Sequence, residues 1–222
     1  MKNARNGRRG RARLALRATW ACGLLLLAGS GSALAFTVAI TPGNKLLYLQ
    51  VGTGLMTGGN FNAGGTPGNS SVINSVSVTV PASAVGSGVP QAMSTDSTVV
   101  ASPWDGTAFC TAPASTGQVY MGGFYRGQNS SASSANLTVT TPATLSNGIG
   151  GTIPFTAIAW TSSGSRGSTS IPSETFKGST QHLLTVARNS WFENCLAFRY
   201  LNNRVVPPGT FRGRAVYSLS AP

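Results

Sequence analysis

The chain has 222 residues, of which 41% are hydrophobic and only 9% charged, and its formal net charge is +12. Seven of its sixteen basic residues fall before position 18; the rest of the chain sets nine Lys or Arg against four acids, a mild +5. That balance argues against a dedicated nucleic-acid binder, which concentrates far more positive charge on one face. Abundant Gly, Ser, Thr, Asn and Ala, with Val, Ile, Tyr, Phe and Trp in short bursts, is the composition of an exported β protein.

The first element is a leader. Lys2, Arg5, Arg8, Arg9, Arg11, Arg13 and Arg17 precede the apolar run WACGLLLLAG, and Ala33-Leu34-Ala35 supplies a small-x-small cleavage site. Residues 1–35 are therefore expected to be a cleaved signal peptide, and residues 36–222 a single secreted domain in the periplasm or on the cell surface of a bacterium. Gly10 and Arg11 follow Arg8-Arg9 where a twin-arginine signal wants an apolar residue, so Sec export is expected. Cys22 lies before the leucine run, which speaks against lipidation there. No stretch reaches the roughly 20 apolar residues of a membrane helix, and no transmembrane segment is expected.

Beyond the leader, FTVAIT and KLLYLQV alternate with period two, placing Leu47, Leu49 and Val51 on one face, and Thr41-Pro42-Gly43-Asn44 reads as the turn between two strands. Residues 52–71 are Gly-rich; without a Gly-Lys-Ser/Thr ending or a following helical pattern they read as a surface loop and not a phosphate cradle. SVINSVSVTVP reads as a strand ended by Pro81, and SPWDGTAFC as a turn at Asp105-Gly106 before a strand carrying Phe109 and Cys110. QVYMGGFYRG, ANLTVTTP, TIPFTAIAWTS, QHLLTVA and FENCLAFRYL each add a strand, and GTFRGRAVYSLSAP closes the chain with near-perfect alternation. About ten short strands punctuated by Gly, Pro, Asn and Ser, with no sustained helical period, predict an all-β, antiparallel β-sandwich, Ig-like or jelly-roll-like. The last two strands read as a hairpin with an irregular loop.

Removal of the leader leaves two cysteines, Cys110 and Cys195. In an oxidising compartment they are expected to form one disulfide, a cross-link that chain entropy values at about 4.5 kcal/mol. Catalytic groups are scarce: beyond the leader only Asp96, Asp105, Glu174, Glu193 and His182 titrate in the useful range, and no Gly-x-Ser-x-Gly elbow occurs. No enzymatic activity, metal or cofactor is expected. Binding is better provided for. Trp104-Asp105 and Trp191 put indoles beside polar groups near loops, an arrangement suited to stacking on sugars. Arg199, Arg204, Arg212 and Arg214 crowd the C-terminal end and form a candidate basic patch for surface polysaccharide.

With Gly209 fourteen residues from the end and Phe211, Ala215, Tyr217 and Leu219 alternating after it, the closing strand resembles those of chaperone–usher pilins and spore-coat-U-like subunits. Ala221 stands where pilins carry an aromatic, and the cysteines lie far from the N-terminal end. TIPFTAIAWTSS is similar to stretches of uncharacterised exported proteobacterial proteins. The resemblance implies an Ig-like sandwich and a non-catalytic, fimbria-like surface subunit whose partners are like subunits. The alternatives are a carbohydrate-binding or adhesin module and a secreted hydrolase. With about ten strands available, the sandwich is expected to complete itself, burying Phe211, Ala215, Tyr217 and Leu219.

Overall fold

A computed structural model describes residues 39–53, 56–57, 66–67, 72–103, 106, 110, 117–167 and 169–222. All of them fall in one compact unit, Thr37–Pro222. In chain order the strands are β1 (Leu46–Val51), β2 (Met56–Thr57), β3 (Thr66–Pro67), β4 (Val76–Ser77), β5 (Gln91–Ala92), β6 (Ser94–Thr95), β7 (Gln118–Arg126) and β8 (Ser134–Thr140). There follow β9 (Thr144–Ser146), β10 (Thr152–Pro154), β11 (Ile158–Gly167), β12 (Glu174–Thr175), β13 (Thr180–Ala187), β14 (Ser190–Tyr200) and β15 (Val216–Ser220). Helical structure among the described residues is confined to short 3-10 turns such as Ala82–Ala84 and Phe155–Ala157.

The fold is an antiparallel β-sandwich. Its larger sheet runs β1-β7-β14-β11-β12, with β5 pairing the far end of β14, and the facing sheet runs β13-β8-β15. Pairs β9–β10, β2–β3 and β4–β6 stand apart from both. Strand alternation decides which side chains meet between the layers. Val119, Met121 and Tyr125 of β7, Phe192, Leu196 and Phe198 of β14, and Trp160 of β11 point inward onto Ala135, Leu137 and Val139 of β8. An aromatic knot closes one end of this core. Phe176 sits 5.1 Å edge-on from Phe155 and 4.8 Å from Trp160, whose indole N–H donates to the Pro172 carbonyl at 2.9 Å. In β13 the register shifts between His182 and Leu184, which turns both Leu183 and Leu184 inward while His182 stays at the surface.

Several sequence expectations are refined by this architecture. TIPFTAIAWTS is not one strand: Phe155 leaves the β9–β10 hairpin to donate to the Ala143 carbonyl, and the 3-10 turn it opens separates β10 from β11. SVINSVSVTVP keeps only two residues of ladder, β4, while Val76, Val78 and Val80 pack half-buried against the core. Ala39 and Ile40 belong to no strand, so FTVAIT forms no ladder over the part described; residues 36–38 lie outside the described residues. Cys110 sits in a bend and not in a strand, and Phe109 lies outside the described residues. β14 and β15 are no hairpin. β14 pairs β7 and β11 in one layer and β15 pairs β8 in the other, so the connection crosses between sheets.

Candidate functional site

The closing strand pairs within its own domain, Val216 opposite Thr140 and Leu219 opposite Leu137. Its inward residues are not sealed, however. Phe211, Ala215, Tyr217, Leu219 and Ala221 are only half-buried, as are Leu47, Leu49 and Val51 on β1, and all of them pack against the main core. This corrects the expectation of a fully buried closing set, and the reason is positional. β15 is the edge of the smaller sheet and β1 the edge of the larger one. The two come together at the end of the chain, where Lys45 Nζ donates to the carbonyls of Ala221 at 2.8 Å and Pro222 at 2.6 Å. They therefore form two lips of one seam, each with apolar side chains facing inward and one row of backbone N–H and C=O groups outside its sheet's ladder.

The opposite side of the sandwich is finished differently. There β12 passes directly into β13, and Gln181, only 2% exposed, stitches the layers together. Its amide N–H₂ donates to Glu174 Oε2 and to the Thr175 carbonyl, and its carbonyl oxygen accepts from Lys177 N at 3.2 Å. The β13 residues facing inward are sealed, with Leu183 at 3% and Val186 at 0% exposure.

A second cluster lies on the outer face of the larger sheet. Register puts Glu193 opposite Gly122, Cys195 opposite Tyr120, and Trp191 opposite Phe124. Glu193 is completely buried, and its Oε1 accepts from Ser102 Oγ at 2.6 Å and Tyr120 Oη at 2.8 Å. The tyrosine reaches it by passing over Gly122, where a Cβ would collide with the phenol oxygen. Glu193 Oε2 lies 3.7 Å from Arg166 Nη1, whose guanidinium also covers the Trp191 ring at 5.8 Å. Beside this cluster Cys110 and Cys195 form the expected disulfide, and Tyr48 donates to Gln50 Oε1 at 2.7 Å. Burial pushes the Tyr48 phenol up to about 12.

The sequence-predicted site residues are thus dispersed. Trp191 is 6% exposed and packs with Ile40, Tyr48 and Phe124, an arrangement that keeps its ring from solvent. Trp104 and Asp105 lie outside the described residues. Arg199 sits on β14 opposite Ala92 and Ala159, whereas Arg204, Arg212 and Arg214 lie on the connection from β14 to β15, where Arg212 exchanges backbone hydrogen bonds with Ser146 at 2.9 Å, so Arg199 stands apart from the other three. Sequence reasoning missed the seam and the Ser102–Tyr120–Arg166–Glu193 constellation. For the latter a signal was present: period two puts Trp191, Glu193 and Cys195 on one face, and an acid between a tryptophan and a disulfide cysteine is a buried acid.

Among the described residues no group of three His, Cys, Asp or Glu could hold a metal ion, and no helix is long and apolar enough to cross a membrane. Compared with family models, with curated proteins and with solved structures, the chain finds no match in any of the three.

Proposed function

We propose that this chain is an exported, non-catalytic structural subunit of a surface assembly, which joins its neighbours by taking a β-strand from another polypeptide into the seam between β1 and β15. The observation that supports this reading is the asymmetry of the sandwich. One side is sealed by Gln181, and the other leaves its inward apolar residues only partly buried along two edge strands that, among the described residues, have no ladder partner on that side. Strand addition satisfies the backbone groups of such an edge and covers alternate side chains at once. The resemblance of the closing strand to pilins points the same way.

The source of the added strand is a second copy of the chain, through residues 36–41, in which Phe36, Val38 and Ile40 alternate; Ile40, buried in the single domain against Tyr48, Phe124 and Trp191, leaves that contact when the segment is donated. Purified protein beginning at Phe36 should form concentration-dependent chains, visible by size-exclusion chromatography and negative staining. Leu49→Glu or Leu219→Glu should abolish them and leave a folded, somewhat less stable monomer, because each side chain is only partly buried on an edge strand. Deleting residues 36–41 should abolish them too, while the monomer stays folded but loses the stability of the Ile40 contact. A protein that stays monomeric at every concentration, or whose assembly ignores all three changes, would overturn the proposal. Turnover of a polysaccharide, ester or peptide that vanishes with Glu193→Gln would replace it with a hydrolase, and sugar binding lost in Trp104→Ala with an adhesin module.

A further inference from the structure

The most exposed large hydrophobic residue among those described is Ile149, at 88%, followed by Val205 at 84%; Val89 stands at 59%. They are far apart in sequence but occupy three adjoining loops. Asn202 joins two of them: its Oδ1 accepts from Gly86 N at 2.9 Å, its Nδ2 donates to the Ala84 carbonyl at 2.7 Å, and its own carbonyl accepts from Gly88 N at 2.9 Å. Val205 lies directly over Gly86, where a Cβ would strike its methyl group. The third loop, 146–151, meets the same connection through the Ser146–Arg212 pair and through Asn147, which lies against Gly209.

Ile149 is held outward, and not merely left there. Asn147 Oδ1 accepts from Ile149 N at 3.1 Å and Gly151 N at 2.8 Å, and the flanking Gly148 and Gly150 have φ of 78° and 96°, so the turn is closed beneath the side chain. Loops 82–91, 146–151 and 201–214 contain no acid, and Arg204, Arg212 and Arg214 stand exposed on the last of them. Apolar tips set among arginines, on loops that carry no carboxylate of their own, match one kind of surface: negative at the top and apolar just beneath. A protein partner would call for one contiguous apolar patch of fixed shape. Three separate tips on Gly, Ser and Pro backbone instead suit a fluid surface that adapts to them.

We propose that this end of the sandwich docks on an anionic lipid bilayer, with Val89, Ile149 and Val205 entering between headgroups and Arg204, Arg212 and Arg214 meeting lipid phosphates. The test is co-sedimentation with vesicles of phosphatidylcholine alone or mixed with phosphatidylglycerol, at low and high salt. The protein should be retained by the mixed vesicles, weakly by phosphatidylcholine, and less at high salt. A triple variant Arg204→Gln, Arg212→Gln, Arg214→Gln should lose more than about tenfold in vesicle affinity, since each arginine near the surface contributes on the order of a fivefold factor. The double variant Ile149→Asn, Val205→Asn, unchanged in charge and altered only at exposed positions, should lose about tenfold while unfolding at the parent's temperature. Failure to bind mixed vesicles would overturn the proposal, as would binding indifferent to the Ile149 and Val205 changes. Preferential retention on an anionic polysaccharide would overturn it in favour of that polymer.

Discussion

Glu193 offers the sharpest quantitative test of the outer-face cluster. It is fully buried, and three side chains converge on it: two hydroxyls on Oε1 and the Arg166 guanidinium beyond Oε2. A hydrogen bond to a charged acceptor contributes about 1.5–3 kcal/mol, so Tyr120→Phe should destabilise by about 2 kcal/mol. Arg166 is 23% exposed and 3.7 Å away, and its share should be below about 1 kcal/mol. Glu193→Gln keeps the shape, removes the charge from both hydroxyl contacts, and should cost about 2–3 kcal/mol. The two changes share one bond, so their combination should fall short of the sum by about 1 kcal/mol or more. Urea unfolding of the disulfide-intact protein at neutral pH measures this. With a slope of about 2 kcal/mol/M, each single variant shifts the midpoint by about 1 M. Strict additivity, or a neutral Glu193→Gln, would refute the argument that the carboxylate clamps Ser102 and Tyr120 to the sheet.

Three further outcomes follow from individual groups. The Cys110–Cys195 disulfide should make the non-reduced protein two hydrogens lighter than its reduced form, and a Cys110→Ser, Cys195→Ser variant should lose up to about 4.5 kcal/mol of stability, read by thermal unfolding. Hydrogen bonds from the Asn74 side chain and the Ser75 N–H hold Asp96 below its ordinary value. Its stabilisation is therefore complete above the unfolded carboxylate range and lost as pH falls through the lowered folded value; because the group is exposed, the stability gap to Asp96→Asn should be under about 1 kcal/mol and should close on acidification. Tyr48 runs the other way: its raised phenol favours the neutral form, so stability should begin to fall above about pH 10 and keep falling towards about 12, and phenolate absorbance should show one late-titrating group missing in Tyr48→Phe.

The strands were legible where alternation was long and uninterrupted. Period two in QVYMGGFYR and FENCLAFRYL identifies β7 and β14 because each has one face in the core, and it also places Leu47, Leu49 and Val51 on the inward side of β1. Alternation says nothing about which sheet a strand joins. β14 and β15 are neighbours in sequence but belong to opposite layers, since the loop between them is long enough to cross the core's edge and Asn202 anchors its start. Nor does alternation report how far a face is covered. Val76, Val78 and Val80 carry the same pattern as β7 but keep only two residues of ladder. The Glu193 cluster was hidden for a related reason: its partners come from β7, β11 and the segment around Ser102, and only the register of three elements brings them within hydrogen-bonding reach.

The two long sides of the sandwich show what separates a finished edge from an unfinished one. On one side β12 is two residues long, the chain arches straight from it into β13, and a single buried glutamine meets the polar groups exposed by that arch. Thr180, His182 and Thr185 face outward on β13, and the register shift beside His182 interrupts the ladder, both features that discourage a further strand. On the other side β1 and β15 are both regular, neither carries a register shift in its pairing, and Lys45 bridges them at one end. An edge strand with a buried inner face needs protection only from unwanted pairing; one with a half-buried inner face also gains apolar burial when it is paired. At about 25 cal/mol per Å² of apolar surface removed from water, covering alternate side chains on two lips favours association well before any backbone hydrogen bond is counted. The side of the domain that the described residues leave only partly covered is thus the side where an added strand would gain most, and the proposed strand uptake there would draw on the same burial that holds the rest of the core together.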